Sequence, residues 1–530
     1  VTDPTRHRSQ TATSFTRRAF CGRLGAAGLA LPLASTLAAC GSGGASGATG
    51  GKARRGGVVQ MAVGSVSTSE NLDPTHQWNQ NEYLYQPQIY DPLLIIDDRW
   101  AAHPVLAESW KPNGDATEWT FTLRSGVRFH DGEPLTARDA QFTIRHILDP
   151  KVGAPGYSSL AAVLDPEGVV AADAHTLRLT LKHPVSILPI LIGRAAVGVL
   201  RDGTTDFTHT ANGTGPFKLT SFTPGQSWQV ERNPRYWQRG LPYLDGARGV
   251  AETDSTTKVE SVISGQSDFA DQLDFSLAGM IAGGGPAKLF VERALTEPYI
   301  VINTQDKPFD DNRVRMAFKL AMDRRLIVRT AYAGHSVLTS DTPSASTDRY
   351  YPPNLGIRAQ NVEQAKQLLA RAGYPHGLDV ELHTADLIGG LLDMTVAFAK
   401  TVEPAGIRVN IKQDSADTYY EQIWRQVPMF ATWVYHDHPG VRLPISFTSN
   451  GAWQETNYKH TPIDGWVTQA FGSLNSGQQT TVFQKAIDWI SLNEGYLNPG
   501  FSDGLFPAKA RLQNVELDIG VVRLARAYLA

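Results

Sequence analysis

Trp119-Thr120-Phe121-Thr122-Leu123-Arg124 is followed almost at once by Gly126-Val127-Arg128-Phe129-His130-Asp131-Gly132, and then by Leu135-Thr136-Ala137-Arg138-Asp139. The first run alternates apolar and polar residues, which predicts a strand with one buried face and one wet face. The glycines at 126 and 132 bracket a turn, where a residue without Cβ takes backbone angles closed to others. A helix is expected to follow. His130-Asp131-Gly132 could be taken for a catalytic or metal-binding triplet, but a turn between a strand and the next helix accounts for it.

The same mixture continues outward. Leu177, Leu179 and Leu181 alternate with Arg178, Thr180 and Lys182, a second half-buried strand. Gly57 to Val63 is a more continuous apolar run, suited to a central strand. Asn361 can cap a helix, with Gln364 three residues on, and Val362, Ala365, Leu368, Leu369 and Ala372 then share one face before Gly373 and Pro375 stop it. One helix is predicted from about Asp311 to Ala333. Leu378 to His383, Leu391 to Thr401 and Ile407 to Lys412 read as strand, helix and strand, a unit that needs a parallel pair with a right-handed crossover. The class is α/β. At 530 residues and 42% apolar content, the chain is too large for one core, so two or three lobes are expected.

The first sixty residues carry a different message. A polar, basic stretch ends in Arg17-Arg18-Ala19-Phe20. Small and apolar residues run from Leu24 to Ala39, and Leu37-Ala38-Ala39-Cys40 closes the segment. This is the pattern of an export signal, and the paired arginines resemble the twin-arginine type, which exports folded proteins. Leu-Ala-Ala-Cys at 37–40 resembles the lipobox of bacterial lipoproteins, in which the cysteine carries the lipid. The apolar run is shorter than the roughly 20 residues that span a bilayer. The expected organisation is a signal over 1–39, lipid on Cys40, and a flexible Gly/Ser tether over 40–56. The chain's only other cysteine, Cys21, falls in the signal. The exported part would then have no thiol chemistry, no disulfide and no cysteine-held metal. With 19% charged residues and a formal net charge of −3, the chain lacks the basic excess of a nucleic-acid binder.

Several blocks in one order resemble the family 5 extracytoplasmic solute-binding proteins of ABC importers, which include oligopeptide- and dipeptide-binding proteins. They are Tyr90-Asp91-Pro92-Leu93-Leu94, Leu106-Ala107-Glu108-Ser109-Trp110, the opening stretch, Gly213-Thr214-Gly215-Pro216-Phe217, Arg232-Asn233-Pro234-Arg235-Tyr236-Trp237 and Arg313-Val314-Arg315-Met316-Ala317 through Asp323-Arg324. The resemblance implies a two-lobe periplasmic-binding-protein clamp, type II-like with an extra subdomain, whose discontinuous lobes are joined by a two-strand hinge. Residues 57–305 and 501–530 would form lobe I, with the extra subdomain at about 96–204. Residues 306–500 would form lobe II. Hinges are expected at Asn303-Thr304 and around Gly500-Phe501-Ser502-Asp503. Gly213 and Gly215, like Gly126 and Gly132, are read as turn glycines.

In peptide-binding relatives a W-x-x-D segment of the second lobe supplies an Asp for the peptide's amino terminus, because a desolvated ammonium needs a paired carboxylate. The matching segment here is Ala431-Thr432-Trp433-Val434-Tyr435-His436-Asp437-His438-Pro439. His436 stands at the acidic position and Asp437 one later, so either residue is a candidate anchor. Trp433 and Tyr435 are candidate cleft walls, with lobe core as the alternative. Trp453, Asn457, Ser67, Thr68, Tyr85 and His383 complete the candidate ligand contacts. No cofactor and no metal site is assigned, although His436-Asp437-His438 leaves nickel or zinc open. No G-x-S-x-G or H-E-x-x-H is present, so no enzymatic activity is expected. The reading is a lipid-anchored, monomeric binding protein on the outer face of the cell membrane. It would deliver a solute, a peptide first, to ABC permease subunits. An oligosaccharide, an opine, a nickel or other metal chelate, or a sensing role on the same fold are the alternatives.

Overall fold

The computed structural model describes residues 54–64, 66–281 and 285–530. The arginine pair, the lipobox with Cys40 and most of the tether lie outside the described residues. Among the described residues, no helix is long and apolar enough to cross a membrane.

The predicted strands form for the reasons their patterns give. Glu118–Leu123 buries Trp119, Phe121 and Leu123 and leaves the residues between them half-exposed. It pairs with Ala107–Pro112 on one side and Thr176–Leu181 on the other, in a four-stranded antiparallel sheet completed by Leu164–Ala171. The helix Ala137–Ile147 follows the turn, capped at Thr136. In that turn His130 is buried, its Nε2 3.1 Å from the Gly215 carbonyl oxygen, and burial pushes its pKa down to about 4. It is a neutral packing residue. Asp131 pairs with Arg201 and accepts from Asn212 at 2.8 Å.

Gly126 and Gly132 do hold positive φ, 79° and 102°. Gly213 and Gly215 have another reason to be glycine. The Gly215 N–H donates to the Ile89 carbonyl at 2.9 Å. A Cβ on Gly213 would stand 2.0 Å from the Ile89 oxygen, and one on Gly215 2.5 Å from the Ile89 carbonyl carbon. Close backbone approach, and not turn geometry, fixes these two positions.

A twelve-stranded mixed sheet runs through both lobes. In the first lobe Val58–Val63 is central, parallel to Gly246–Ala251 on one side and to Phe269–Ala270 on the other. In the second, Leu378–Thr384 lies between Ile407–Gln413 and Met429–Tyr435, parallel to both, with Leu391–Val402 as the crossover helix. The two halves meet in one antiparallel ribbon made of Ala287–Ile302 and Gly500–Lys509. The far end of Ala287–Ile302 pairs with Met429–Tyr435, while Gly500–Lys509 reaches Phe269–Ala270. The ribbon's register breaks between Glu292 and Thr296. Asn303 and Thr304 lie beyond the break, bonded to Pro428 and Thr456.

The second-lobe sheet is covered on both faces. Ile300, Ile302, Leu382, Met429 and Ala431 pack against Val314, Phe318, Ile327 and Phe398. Tyr299, Val301 and Phe430 face Leu443, Phe483 and Ile487. The single helix expected over 311–333 is two, Asn312–Ala321 and Arg324–Ala331. The break comes at Asp323, whose carboxylate accepts the Leu326 N–H at 3.0 Å and starts a new helix.

Gly213→Ala is expected to cost about 1–3 kcal/mol, the range for overpacking a closed site. It would be read as a lower urea midpoint at unchanged slope. A midpoint equal to that of the parent protein would mean that Ile89 moves aside freely.

Candidate functional site

Trp433 and Tyr435 are two residues apart on one strand and so share a face. Both are half-buried, and their rings meet edge to face at 5.4 Å. Tyr435 reaches the other lobe. Its hydroxyl donates to Gln80 Oε1 at 2.7 Å, and its ring meets Tyr83 at 5.8 Å. Gln80 in turn donates to the Gly520 carbonyl at 3.1 Å, and the Gly520 N–H donates to the Glu292 carboxylate at 3.0 Å. An aromatic and amide wall thus spans the cleft.

Asp437 lies just past the strand. The Arg194 Nε–H donates to its two carboxylate oxygens at 3.2 and 3.3 Å. Both side chains are only 17% exposed, so water screens this cross-lobe pair weakly. Burial alone would lower the Arg194 pKa. The charges of Asp437, Tyr83 and Asp518 oppose burial and hold it above its ordinary value. Glu292 is pushed up to about 7, first by burial and then by the nearby Asp518. Asp518 itself is raised by burial, against Arg523 and Arg194. The cleft therefore sets the Arg194 guanidinium, with Arg523 beside Asp518, among three carboxyl groups, two of which burial drives toward their neutral forms. Behind Arg194 a small cavity is lined by Gln77, Tyr83, Ile96, Gly193, Asp518 and Arg523.

His436 and His438 face elsewhere. The His436 Nε2 lies 3.2 Å from Asp348 Oδ2, and its ring packs on Phe501 at 4.6 Å. His438 caps the helix Pro439–Ser446, its Nδ1 accepting from the Gly440 N–H at 2.8 Å. Its Nε2 therefore carries the proton, toward Tyr350 Oη at 2.7 Å. Among the described residues, no group of three or more His, Cys, Asp or Glu is placed to hold a metal ion.

The other predicted contacts divide. Tyr85 is fully buried, its hydroxyl bonded to the Asn71 carbonyl and its ring packed on Phe222 at 5.2 Å. It is core. Two residues on a helix turn a side chain through about 200°, so Tyr83 takes the cleft position that the sequence assigns to Tyr85. His383 is held by two carboxylates, Asp414 at 2.9 Å and Glu381 at 3.0 Å, and pairs with Phe430, five residues before Tyr435. Ser67 and Thr68 lie in the loop after the first strand, where the Ser67 N–H donates to Glu70 at 3.0 Å. Trp453 is half-buried, its N–H donating to the Ile445 carbonyl, and Asn457 holds φ +53°. Between them, buried Glu455 accepts from Tyr299 at 2.7 Å and Trp424 at 2.6 Å. Among the contacts of the described residues, none joins Trp453, Asn457, Ser67, Thr68 or His383 to the Arg194–Asp437 pair.

Sequence reading misses Arg194, Glu292 and Asp518, while Gln80 and Tyr83 fall within the helix start from Asn79 to Tyr85 that it expects to contact the ligand without singling them out. Arg194 alone left a trace: it is the one charge in the helix Leu188–Ala195, whose other residues are apolar or glycine.

Residues 101–454 match the family model described as bacterial extracellular solute-binding proteins, family 5 Middle. The chain is 29% identical over 334 residues to the glutathione-binding protein GsiB of Salmonella typhi, covering 61% of this chain and 63% of that one. The match thus spans less than two thirds of the relative's length. The fold is similar to that of Helicobacter pylori DppA in complex with peptide STSA, with TM-score 0.76, 20% identity, and 90% of this chain and 98% of that chain covered. It is also similar to Campylobacter jejuni NikZ in complex with Ni(L-His), with TM-score 0.73, 16% identity, and coverage of 87% and 96%.

The cleft segment also predicts a pH response. Burial lowers the His438 pKa to about 3, against 6.5 ordinarily. As pH falls, the unfolded chain binds this proton first. The stability contributed by the neutral ring is complete above pH 6.5 and is lost as pH falls toward about 3, at about 1.4 kcal/mol per pH unit. His438→Asn keeps an acceptor for Gly440 without a titrating ring. Its urea midpoint should fall less steeply below pH 6.5 than that of the parent protein, and equal slopes would refute the assignment.

Proposed function

The chain belongs to the bacterial extracellular solute-binding proteins, family 5, and on that footing we propose that it captures a short peptide between its lobes and presents it to the permease of an ABC importer. One observation carries the peptide reading: the guanidinium of Arg194 and the carboxylate of Asp437 face each other across the cleft beside an aromatic wall. A peptide brings an ammonium and a carboxylate of its own. Its ammonium would take Asp437 and its carboxylate Arg194, each exchanging one ion pair for another. This avoids the cost of burying an unpaired charge. Trp433, Tyr435 and Tyr83 supply flat, stiff area for side chains. The names of GsiB and of the peptide-bound DppA point the same way.

Capture is reversible and involves no chemical step. The lobes turn about the register break at Glu292–Thr296 and the facing Ser502–Gly504 stretch, and only differential affinity for the closed form drives them together. A nickel chelate finds less support, because Asp348 faces His436, and Gly440 and Tyr350 occupy both nitrogens of His438. The chain is exported by the twin-arginine route and held on the outer face of the membrane by lipid on Cys40. Cys40→Ser should shift it from the membrane fraction to the soluble fraction, and unchanged partition would refute the anchor.

Calorimetry with glutathione and with the tetrapeptide Ser-Thr-Ser-Ala tests the site. Nα-acetylation of the tetrapeptide and Asp437→Asn should each weaken binding by about 1.5–3 kcal/mol, the value of a hydrogen bond to a charged group. Acetylation should do little further in the variant. Equal affinity for free and acetylated peptide would remove Asp437 as the ammonium anchor, and no heat with either ligand would remove the peptide reading.

A further inference from the structure

The hairpin tip Asp97-Asp98-Arg99-Trp100 joins the short strands Leu94–Ile96 and Ala102–Pro104 in the first lobe. Trp100 holds φ at +64°. That is the left-handed region, where Cβ crowds the backbone and a bulky residue is out of place. Asp97 enforces the turn. Its carboxylate accepts the N–H groups of Arg99 and Ala101 at 2.9 and 2.8 Å, and its carbonyl accepts the Trp100 N–H at 2.9 Å.

Asp98 and Arg99 are exposed, yet Trp100 is 6% exposed. Part of its cover comes from the second lobe. The indole Nε1–H donates to Asp348 Oδ2 at 3.2 Å. The ring meets His436 edge to face at 5.3 Å and His438 at 5.9 Å. The Asp348 side chain is itself only 3% exposed. A large ring is thus held in an unfavourable backbone conformation and buried in part by residues more than two hundred positions away in the sequence, in the lobe that must move.

We propose that Trp100 is a positioning residue for ligand capture, a clasp that enters the socket of Asp348, His436 and His438 when the lobes close and so sets how far open the clamp rests. A strained conformation persists only where its surroundings over-determine it. Asp97 supplies part of those surroundings within the hairpin, and the cross-lobe socket supplies the rest only in the closed form. An indole suits the task, since it buries a large area at small entropy cost and carries one polar N–H that the socket satisfies. The clasp meets His436 and His438 just beyond the end of the 429–435 strand and makes no ring contact with Trp433 or Tyr435, so it biases closure without occupying the peptide's place. It rests on the two-lobe clamp and not on the identity of the ligand.

Hydroxyl-radical footprinting of the full chain, with no ligand added, tests the clasp. Tyr83 and Tyr435 are the reporters, since they lie in the cleft and make no ring contact with Trp100. In Trp100→Ala both should oxidise several-fold faster, while Phe121 and Phe318 in the lobe cores stay protected. Trp100→Phe keeps a ring without the N–H donor and should fall between the two. It also decides the matter if the alanine variant does not fold. Faster oxidation of His436 alone, with Tyr83 and Tyr435 unchanged in both variants, would reduce Trp100 to local packing and overturn the proposal. Because no peptide enters the measurement, failure of the peptide reading would leave this result standing.

Discussion

Everything in this molecule hangs on one antiparallel ribbon that both lobes share. Ala287–Ile302 and Gly500–Lys509 are paired from Ala287 to Glu292, lose register, and meet again at Thr296 opposite Ser502. A bulge of this kind strands backbone groups that must be satisfied elsewhere. Asp503 does this from a fully buried position. It accepts the Ala294 N–H at 3.0 Å and pairs with Arg293. Burial raises its pKa, and the Ala294 N–H and Arg293 work against that rise. Ala294 holds φ +53° at the centre of the break. The ribbon is therefore continuous enough to carry the sheet and interrupted enough to bend at one place. That place is next to Glu292 and the Leu295 carbonyl, which bonds the His436 N–H. The register break and the backbone that holds His436 are thus the same few residues.

This economy shapes the electrostatics above it. Glu292 sits on the ribbon, Asp518 and Arg194 belong to the first lobe, and Asp437 follows the second-lobe strand paired to the ribbon. Asp437 meets Arg194 here, and Glu292 and Asp518 lie close enough to the same guanidinium to feel its charge. In the closed form the same pair is screened little. A ligand with both charges can therefore compete for this pair only by offering geometry at least as good, which favours zwitterions over simple ions.

Sequence patterns reveal what repeats locally and conceal what is assembled at a distance. Trp119, Phe121 and Leu123 announce their strand because one-sided burial imposes a period of two. Asn361 announces its helix because an orphan N–H needs an acceptor. Asp323 carries the same signal, yet the apolar stripe runs on past it and the break is hidden. Tyr83 and Tyr85 cannot be told apart in sequence. Their helix, Glu82–Ile89, buries nearly every residue and contains Pro87, so no apolar stripe marks its inward face. The Arg194–Asp437 pair spans 243 positions, and nothing local ties one residue to the other. Conversely, Trp433 and Tyr435 were legible as a pair because strand alternation alone puts them on one face.

Two of the breaches of local rule fall near where the lobes meet. Foldable sequences keep local preference and global structure in agreement, and departures gather at functional places. Trp100 and Ala294 both hold positive φ without being glycine, one at the lobe contact and one at the hinge. Neither conformation helps either lobe fold alone, and each costs about 1–3 kcal/mol. Local hydrogen bonds offset part of that cost, since Asp97 holds the Trp100 turn and Asp503 accepts the Ala294 N–H. On the proposed clasp, the contacts of Trp100 with Asp348, His436 and His438 are lost on opening and so weigh on the closing equilibrium. A clasp of this kind moves the resting clamp toward the closed form, and so toward balance where the open form otherwise dominates. Near balance, a ligand of ordinary affinity shifts the populations most, because a small differential affinity is then enough to reverse them.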